Sequence, residues 1–297
     1  MRLISLVLLC AGLSAPAEAQ NLRDRFIERM KAKSVQPETD PATILPGAKR
    51  QTLSYGADAA QALDVFIPPD AHGAPIVVMV HGGGWRLGDK TSPGVIDNKL
   101  KYWLPKGYIL VSVNYRLLPT PVSEQAKDVA AAVAYIENHA ADWGGDSDKL
   151  ILMGHSAGAH LAALLSADPS RVTAAGGHPW RGTVVLDSAA LDVASVMNKR
   201  HPKLYDDAFG KDPAYWASVS PTAQVKTDAV PMLLVCSLKR PDDSCGQSKA
   251  FAARLQIAGQ DAPVVPQDLT HMQIDHDLGL PGAYTDTVDD FIQRRLR

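Results

Sequence analysis

The sequence predicts an α/β protein built on a mostly parallel sheet. Short apolar, β-rich runs recur along the chain, separated by stretches of helical character. The runs are continuous rather than alternating, as at residues 76–80, which is the pattern of a strand covered on both faces. The 297 residues, 46% hydrophobic and 21% charged, suffice for a large core and exclude a disordered or fibrous chain. Lys and Arg number 30 against 32 Asp and Glu, a net charge of −2, so no basic balance points to nucleic acid.

The first segment reads as a leader. Arg2 precedes an apolar run over residues 3–13, broken only by Ser5, Cys10 and Gly12. Ala17-Glu18-Ala19 has the small-x-small form of a signal-peptidase site, so cleavage after Ala19 and export to a periplasmic or extracellular compartment are expected. The run is too short to span a bilayer of about 30 Å as a helix, and nothing after residue 20 is apolar enough to do so. Residues 20–49 read as an extension. Its charged stretch at 22–33 suits a surface helix, and Pro37, Pro41 and Pro46 mark a linker. Once the leader is removed, Cys236 and Cys245 remain, close in sequence and in an oxidising compartment, where they are natural disulfide partners. No Cys/His spacing resembles a zinc site.

The main domain is expected over 50–297. Strands over 52–67, ending at Pro68-Pro69, are expected to pair antiparallel at one edge. Further strands are expected at 76–80, 109–113, 150–153, 184–186, 232–235 and 264–265. Helical patterns cover 124–139, 157–165, 247–258 and 285–296. Residues 189–228 break the rhythm with aromatics and prolines, so they read as a small inserted cap that covers part of a pocket.

Two motifs carry chemistry. Gly154-His155-Ser156-Ala157-Gly158 lies between an apolar run and an Ala/Leu-rich helix, the setting of a nucleophile elbow with Ser156 at its tip. His81-Gly82-Gly83-Gly84-Trp85 follows the 76–80 strand. Acyl transfer builds negative charge on a carbonyl oxygen, and a glycine run presents main-chain N–H groups to it without side-chain obstruction. Gly83, Gly84 and Ala157 are the expected donors, and His81 is expected to brace the loop. The ending that marks a phosphate-binding loop is missing.

HGGGW followed by RLGDK, then VNYRL at 113–117 and GHSAGAHLAAL at 154–164, resembles the α/β-hydrolase superfamily, in particular the hormone-sensitive-lipase-like and arylformamidase-like esterases. The resemblance covers residues 50–297 and implies an α/β-hydrolase fold with helices on both faces of the sheet. It also implies the chain order Ser, acid, His. The acid then follows the 232–235 strand, as Asp242 or Asp243, with Asp243 preferred because it stands just before the next helix. The base is His271, at the exit of the last strand, rather than His276. Trp85, Tyr115 and Trp216 are candidate pocket aromatics. The implied activity is hydrolysis of a small-molecule carboxylic ester, small or short in its acyl part, with no cofactor and no metal. Arylformamide hydrolysis and a catalytically inactive binding module are the competing readings; the leader points away from the first, and a full set of triad candidates points away from the second.

Overall fold

A computed structural model describes residues 39–297 of the chain. The expected leader and extension helix lie outside the described residues. Strands β1 (Lys49–Ser54), β2 (Ala62–Ile67), β3 (Ala74–Val80), β4 (Ile109–Val113), β5 (Gly145–His155), β6 (Gly182–Leu186), β7 (Met232–Ser237) and β8 (Val264–Gln267) form one sheet in the order β1-β2-β4-β3-β5-β6-β7-β8. β1, β2 and β4 pair antiparallel at one edge, and every neighbour from β4 to β8 is parallel.

The helices are α1 (Pro93–Trp103), α2 (Val122–His139), α3 (Ala157–Ala167), α4 (Ser170–Thr173), α5 (Val193–Met197), α6 (Lys203–Phe209), α7 (Pro213–Ser218), α8 (Ser244–Ile257), α9 (His271–His276) and α10 (Ala283–Leu296). The continuous apolar runs are explained by cover on both faces. Ile76, Val78 and Val80 of β3 pack with α2 residues such as Val129 and Ile136. The intervening Val77 and Met79 pack with Leu100 and Trp103 of α1 and Phe291 and Ile292 of α10. Phe251 and Leu255 of α8 close a third cluster against Val185 and Leu234. Of the extension, Ile44 and Leu45 pack on the α1 and α10 face.

The strand order places the site. After β3 the chain adds β4 on one side, then crosses back to add β5 on the other. Connections from the ends of β3 and β5 therefore diverge to opposite faces and leave a crevice at their C-terminal ends. The two motifs stand at those two ends, the glycine loop after β3 and Ser156 after β5.

Two elements differ from the sequence reading. α8 starts at Ser244, earlier than the apolar periodicity indicates, because the Asp243 side chain accepts the Gly246 N–H and caps the helix. The short helix α9 follows β8 directly. Thr270 and Gln273 form a capping box there, and that box fixes where His271 begins the turn.

Candidate active site

Ser156 sits between β5 and α3 with φ 53° and ψ −114°, a left-handed conformation that a non-glycine residue adopts only under constraint. The constraint is close packing. A Cβ on Gly158 would lie 2.2 Å from the Val80 carbonyl oxygen, so the elbow can seat on β3 only with glycine there. The Ser156 N–H donates to the Leu186 carbonyl at 2.9 Å, and the first turn of α3 begins at Ala157, whose N–H has no intrahelical acceptor.

The glycine loop arches over this point. Gly83 has φ +121°, and a Cβ on it would meet the Leu87 carbonyl oxygen at 2.0 Å. That tight return is closed by the Leu87 N–H donating to the Gly83 carbonyl at 3.0 Å. His81 braces the loop: its Nδ1–H donates to the Gly82 carbonyl at 2.7 Å, its ring stacks on Tyr115 at 4.6 Å, and its carbonyl accepts the Tyr115 hydroxyl at 3.0 Å. Gly83, Gly84 and Ala157 line one cavity of about 800 Å³ together with Ser156 and His271.

His271 Nε2 stands 2.9 Å from Ser156 Oγ. On the other side of the ring, Nδ1 stands 2.6 Å from a carboxylate oxygen, and that carboxylate belongs to Asp187. Asp187 follows β6 directly, is fully buried, and takes a left-handed φ of 57° that turns its side chain toward the ring. Its other oxygen accepts the Ser237 N–H at 2.8 Å. Burial alone pushes this carboxyl up; the hydrogen bond from His271, the Arg240 charge and the Ser237 N–H outweigh it and bring it down to about 2.

The expectation for Asp243 is therefore corrected. Asp243 is exposed and spends its side chain on the N-cap of α8. Asp242 does not reach the ring either; its carboxylate accepts from Nε and Nη2 of Arg240. Arg240 is the residue of that loop that approaches His271, with Nη1 2.9 Å from Nδ1. The sequence signal for Asp187 is its place, an acid immediately after a buried strand, at the sheet end where sites form.

His276 is exposed, lines the same cavity and pairs with Asp277 at 2.9 Å, while the Ser156 hydroxyl is met by His271. Of the three aromatics, Trp85 lines the cavity, with its indole N–H donating to His160 Nδ1 at 3.3 Å and its ring edge-on to Phe209. Tyr115 is buried behind His81, and Trp216 donates its N–H to the Phe209 carbonyl on the inserted segment, so neither lines the cavity. Pro202, Leu204 and Tyr205 of the inserted segment do line it, and the segment is tied to the glycine loop by an Arg86–Asp207 pair at 2.7 Å. Cys236 and Cys245 are disulfide-bonded and bracket the loop that carries Arg240.

Behind His271 lies a second buried group of charges. His155 Nε2–H donates to the His271 carbonyl at 2.9 Å, and the two rings lie 4.5 Å apart. Burial holds the His155 ring down to about 4, with the His271 ring and Lys99 acting in the same direction and Asp275 and the hydrogen bond to the His271 carbonyl opposing. Asp275 is in turn paired with the buried Lys99 at 2.7 Å. Among the described residues no cluster of three or more His, Cys, Asp or Glu side chains is arranged to hold a metal ion, and no helix is long and apolar enough to cross a membrane.

A mostly parallel sheet with a serine at the β5 elbow and a histidine after β8 defines an α/β-hydrolase-fold protein. The chain belongs to the BD-FAE family, whose family model matches residues 63–255. It is 30% identical over 231 residues to Esterase LipQ of Mycobacterium tuberculosis, covering 71% of this chain and 54% of LipQ. It is 34% identical over 116 residues to the probable isoprenylcysteine alpha-carbonyl methylesterase ICMEL1 of Arabidopsis thaliana, covering 38% of this chain and 24% of that protein. The chain thus spans about half the length, or less, of these curated relatives. In fold it is similar to the crystal structure of esterase B from Lactobacillus rhamnosus (HN001), with a TM-score of 0.70, 21% identity, and 94% and 93% of the two chains covered.

Proposed function

We propose that this protein is an exported serine hydrolase that cleaves carboxylic esters, small or short in their acyl part, through an acyl-enzyme. The reading rests on one observation above all: the hydrogen-bonded line from Ser156 Oγ through His271 to the buried Asp187, opening into the cavity. The esterase names of its relatives support the reaction class. The leader sequence supports export, as does a disulfide that persists only where thiols are oxidised.

The steps follow from the roles. Neutral His271 takes the Ser156 proton through Nε2 as Oγ attacks the ester carbonyl, and Asp187 holds the ring by accepting from Nδ1 and stabilises the imidazolium. The oxyanion of the tetrahedral intermediate meets the N–H groups of Gly83, Gly84 and Ala157. His271 then gives the proton to the departing alcohol, and water, activated the same way, releases the acid. The test is a panel of chromogenic acetate, butyrate and octanoate esters beside an N-formyl aromatic amine, with wild type and Ser156→Ala. The expected result is hydrolysis of the short esters by wild type, lost by at least about 10³-fold in Ser156→Ala. Preference for the N-formyl amine favours the arylformamidase reading, and no turnover of any member favours a binding module.

A further inference from the structure

Arg240 has no part in the triad, yet it reaches further into it than any other side chain of the β7–α8 loop. Its Nη1–H donates to the Asp187 carbonyl oxygen at 2.9 Å and to the Asp187 carboxylate at 3.3 Å. It lies 2.9 Å from His271 Nδ1, whose own proton is already given to Asp187, so the guanidinium does not bond the ring and grips the same carboxylate beside it. Its Nε and Nη2 are held in a fork by Asp242.

A cation at this place should harm the reaction, because His271 must itself become cationic and like charges repel at this range. Asp242 resolves the conflict. The charges of Asp187, Arg240 and Asp242 sum to that of a single carboxylate, so the ring sees one net negative charge while the buried Asp187 gains an extra donor. The loop that holds this pair is closed at its base by the Cys236–Cys245 bond.

We propose that Arg240, neutralised and aimed by Asp242, is a positioning residue that fixes the Asp187 carboxylate against His271 Nδ1. The proposal rests on the serine-hydrolase reading for its kinetic consequences, but not for its geometry.

The experiment therefore has two readouts on the full chain. Proton NMR of protein with labelled histidine follows the far-downfield Nδ1–H resonance of His271 bonded to Asp187, which needs no turnover. Steady-state hydrolysis of a chromogenic acetate ester separates kcat from KM. Arg240→Met is expected to lose the resonance and to lower kcat by about 30-fold or more with KM within threefold. Arg240→Lys, which keeps charge but not the fork, should retain the resonance and lose less than tenfold. Asp242→Asn should lower kcat about tenfold, and the double variant Arg240→Met/Asp242→Asn should lose less than the product of the singles. Lys239→Met, the neighbouring cation whose partner is the exposed Asp268, should match wild type. If Arg240→Met does not fold, Asp242→Asn decides, and an unaltered kcat there overturns the proposal. Retention of the resonance in a folded Arg240→Met overturns it whatever the turnover. Should wild type hydrolyse no ester while the resonance still depends on Arg240, the positioning stands and the reaction assignment falls.

Discussion

The loops after β6 and β7 begin alike and end differently. Each leaves a buried strand at the same edge of the crevice, and each carries aspartate. After β6 the acid comes at once, as Asp187, before the chain can turn away, and the backbone N–H of Asp187 is still pinned to the Val235 carbonyl of β7 at 2.8 Å. Its carboxylate is buried and therefore has to be satisfied from inside, which His271, Ser237 and Arg240 do. After β7 the chain runs out to exposed Leu238 and Lys239 before returning, and Asp243 emerges where solvent and a helix N-terminus serve it. The lesson is that the acid partner of a histidine is chosen by which strand end faces the ring and by what can satisfy a buried charge there. Distance in sequence from the expected strand does not choose it.

The sharpest way to break this comparison is to remove each carboxylate without changing its size. Asp187→Asn should lower kcat on the order of 10⁴-fold, since the amide favours the wrong tautomer of His271. Steady-state kinetics on a chromogenic ester checks it, and a loss below tenfold would show that another group orients the ring. The next effect is on stability and belongs to the buried side of the molecule alone. His155 and His160 are held neutral by burial, both at about 4 in the folded state against 6.5 when free. Between those values the unfolded chain binds more protons, so stability is complete above pH 6.5 and drains away as pH falls toward 4, by up to roughly 3 kcal/mol for each ring. Asp187, held at about 2 against 3.8, adds a further loss only below pH 4. Urea midpoints at pH 7, 5.5 and 4.5 should fall in that order; a flat series contradicts the buried-neutral assignment.

The β7 loop should respond more mildly. Replacing Cys236 and Cys245 by serine opens a ring of ten residues and should cost roughly 2–3 kcal/mol by loop-closure entropy. Activity should drop several-fold before the domain unfolds, because Arg240 rides on that loop. Thermal melts and assays of the double variant with and without reductant test both parts. The smallest effect is expected for Asp243→Asn, which keeps a capping side chain: stability should change by less than about 1 kcal/mol, and kcat should stay within threefold.

Much of this molecule is written locally. The buried strands show as unbroken apolar runs because both sheet faces are covered. The elbow and the glycine loop show because backbone approach at Gly158 and Gly83 admits no side chain, a demand that leaves its mark on neighbouring residues. His271 is legible because it sits at the exit of the last strand. Asp187 is only half legible: its place directly after a buried strand marks it as a candidate, but that β6 ends against the ring belongs to the strand order. Tyr115 and Trp216 show the same limit, since an aromatic looks alike in sequence whether it braces a loop, packs on an insertion or faces a ligand. Asp243 shows a related limit: an aspartate before a helix signals an N-cap at least as strongly as a catalytic acid.

Ser156 is expected to carry the acyl group during turnover. Mixing the protein with a slowly deacylating ester, quenching in acid and mapping the adduct by mass spectrometry tests it directly. One acyl group per chain is expected, on Ser156, absent from Ser156→Ala and slow to form in Asp187→Asn. Turnover of the ester with Ser156 unmodified, or an acyl group held on another residue, would contradict it.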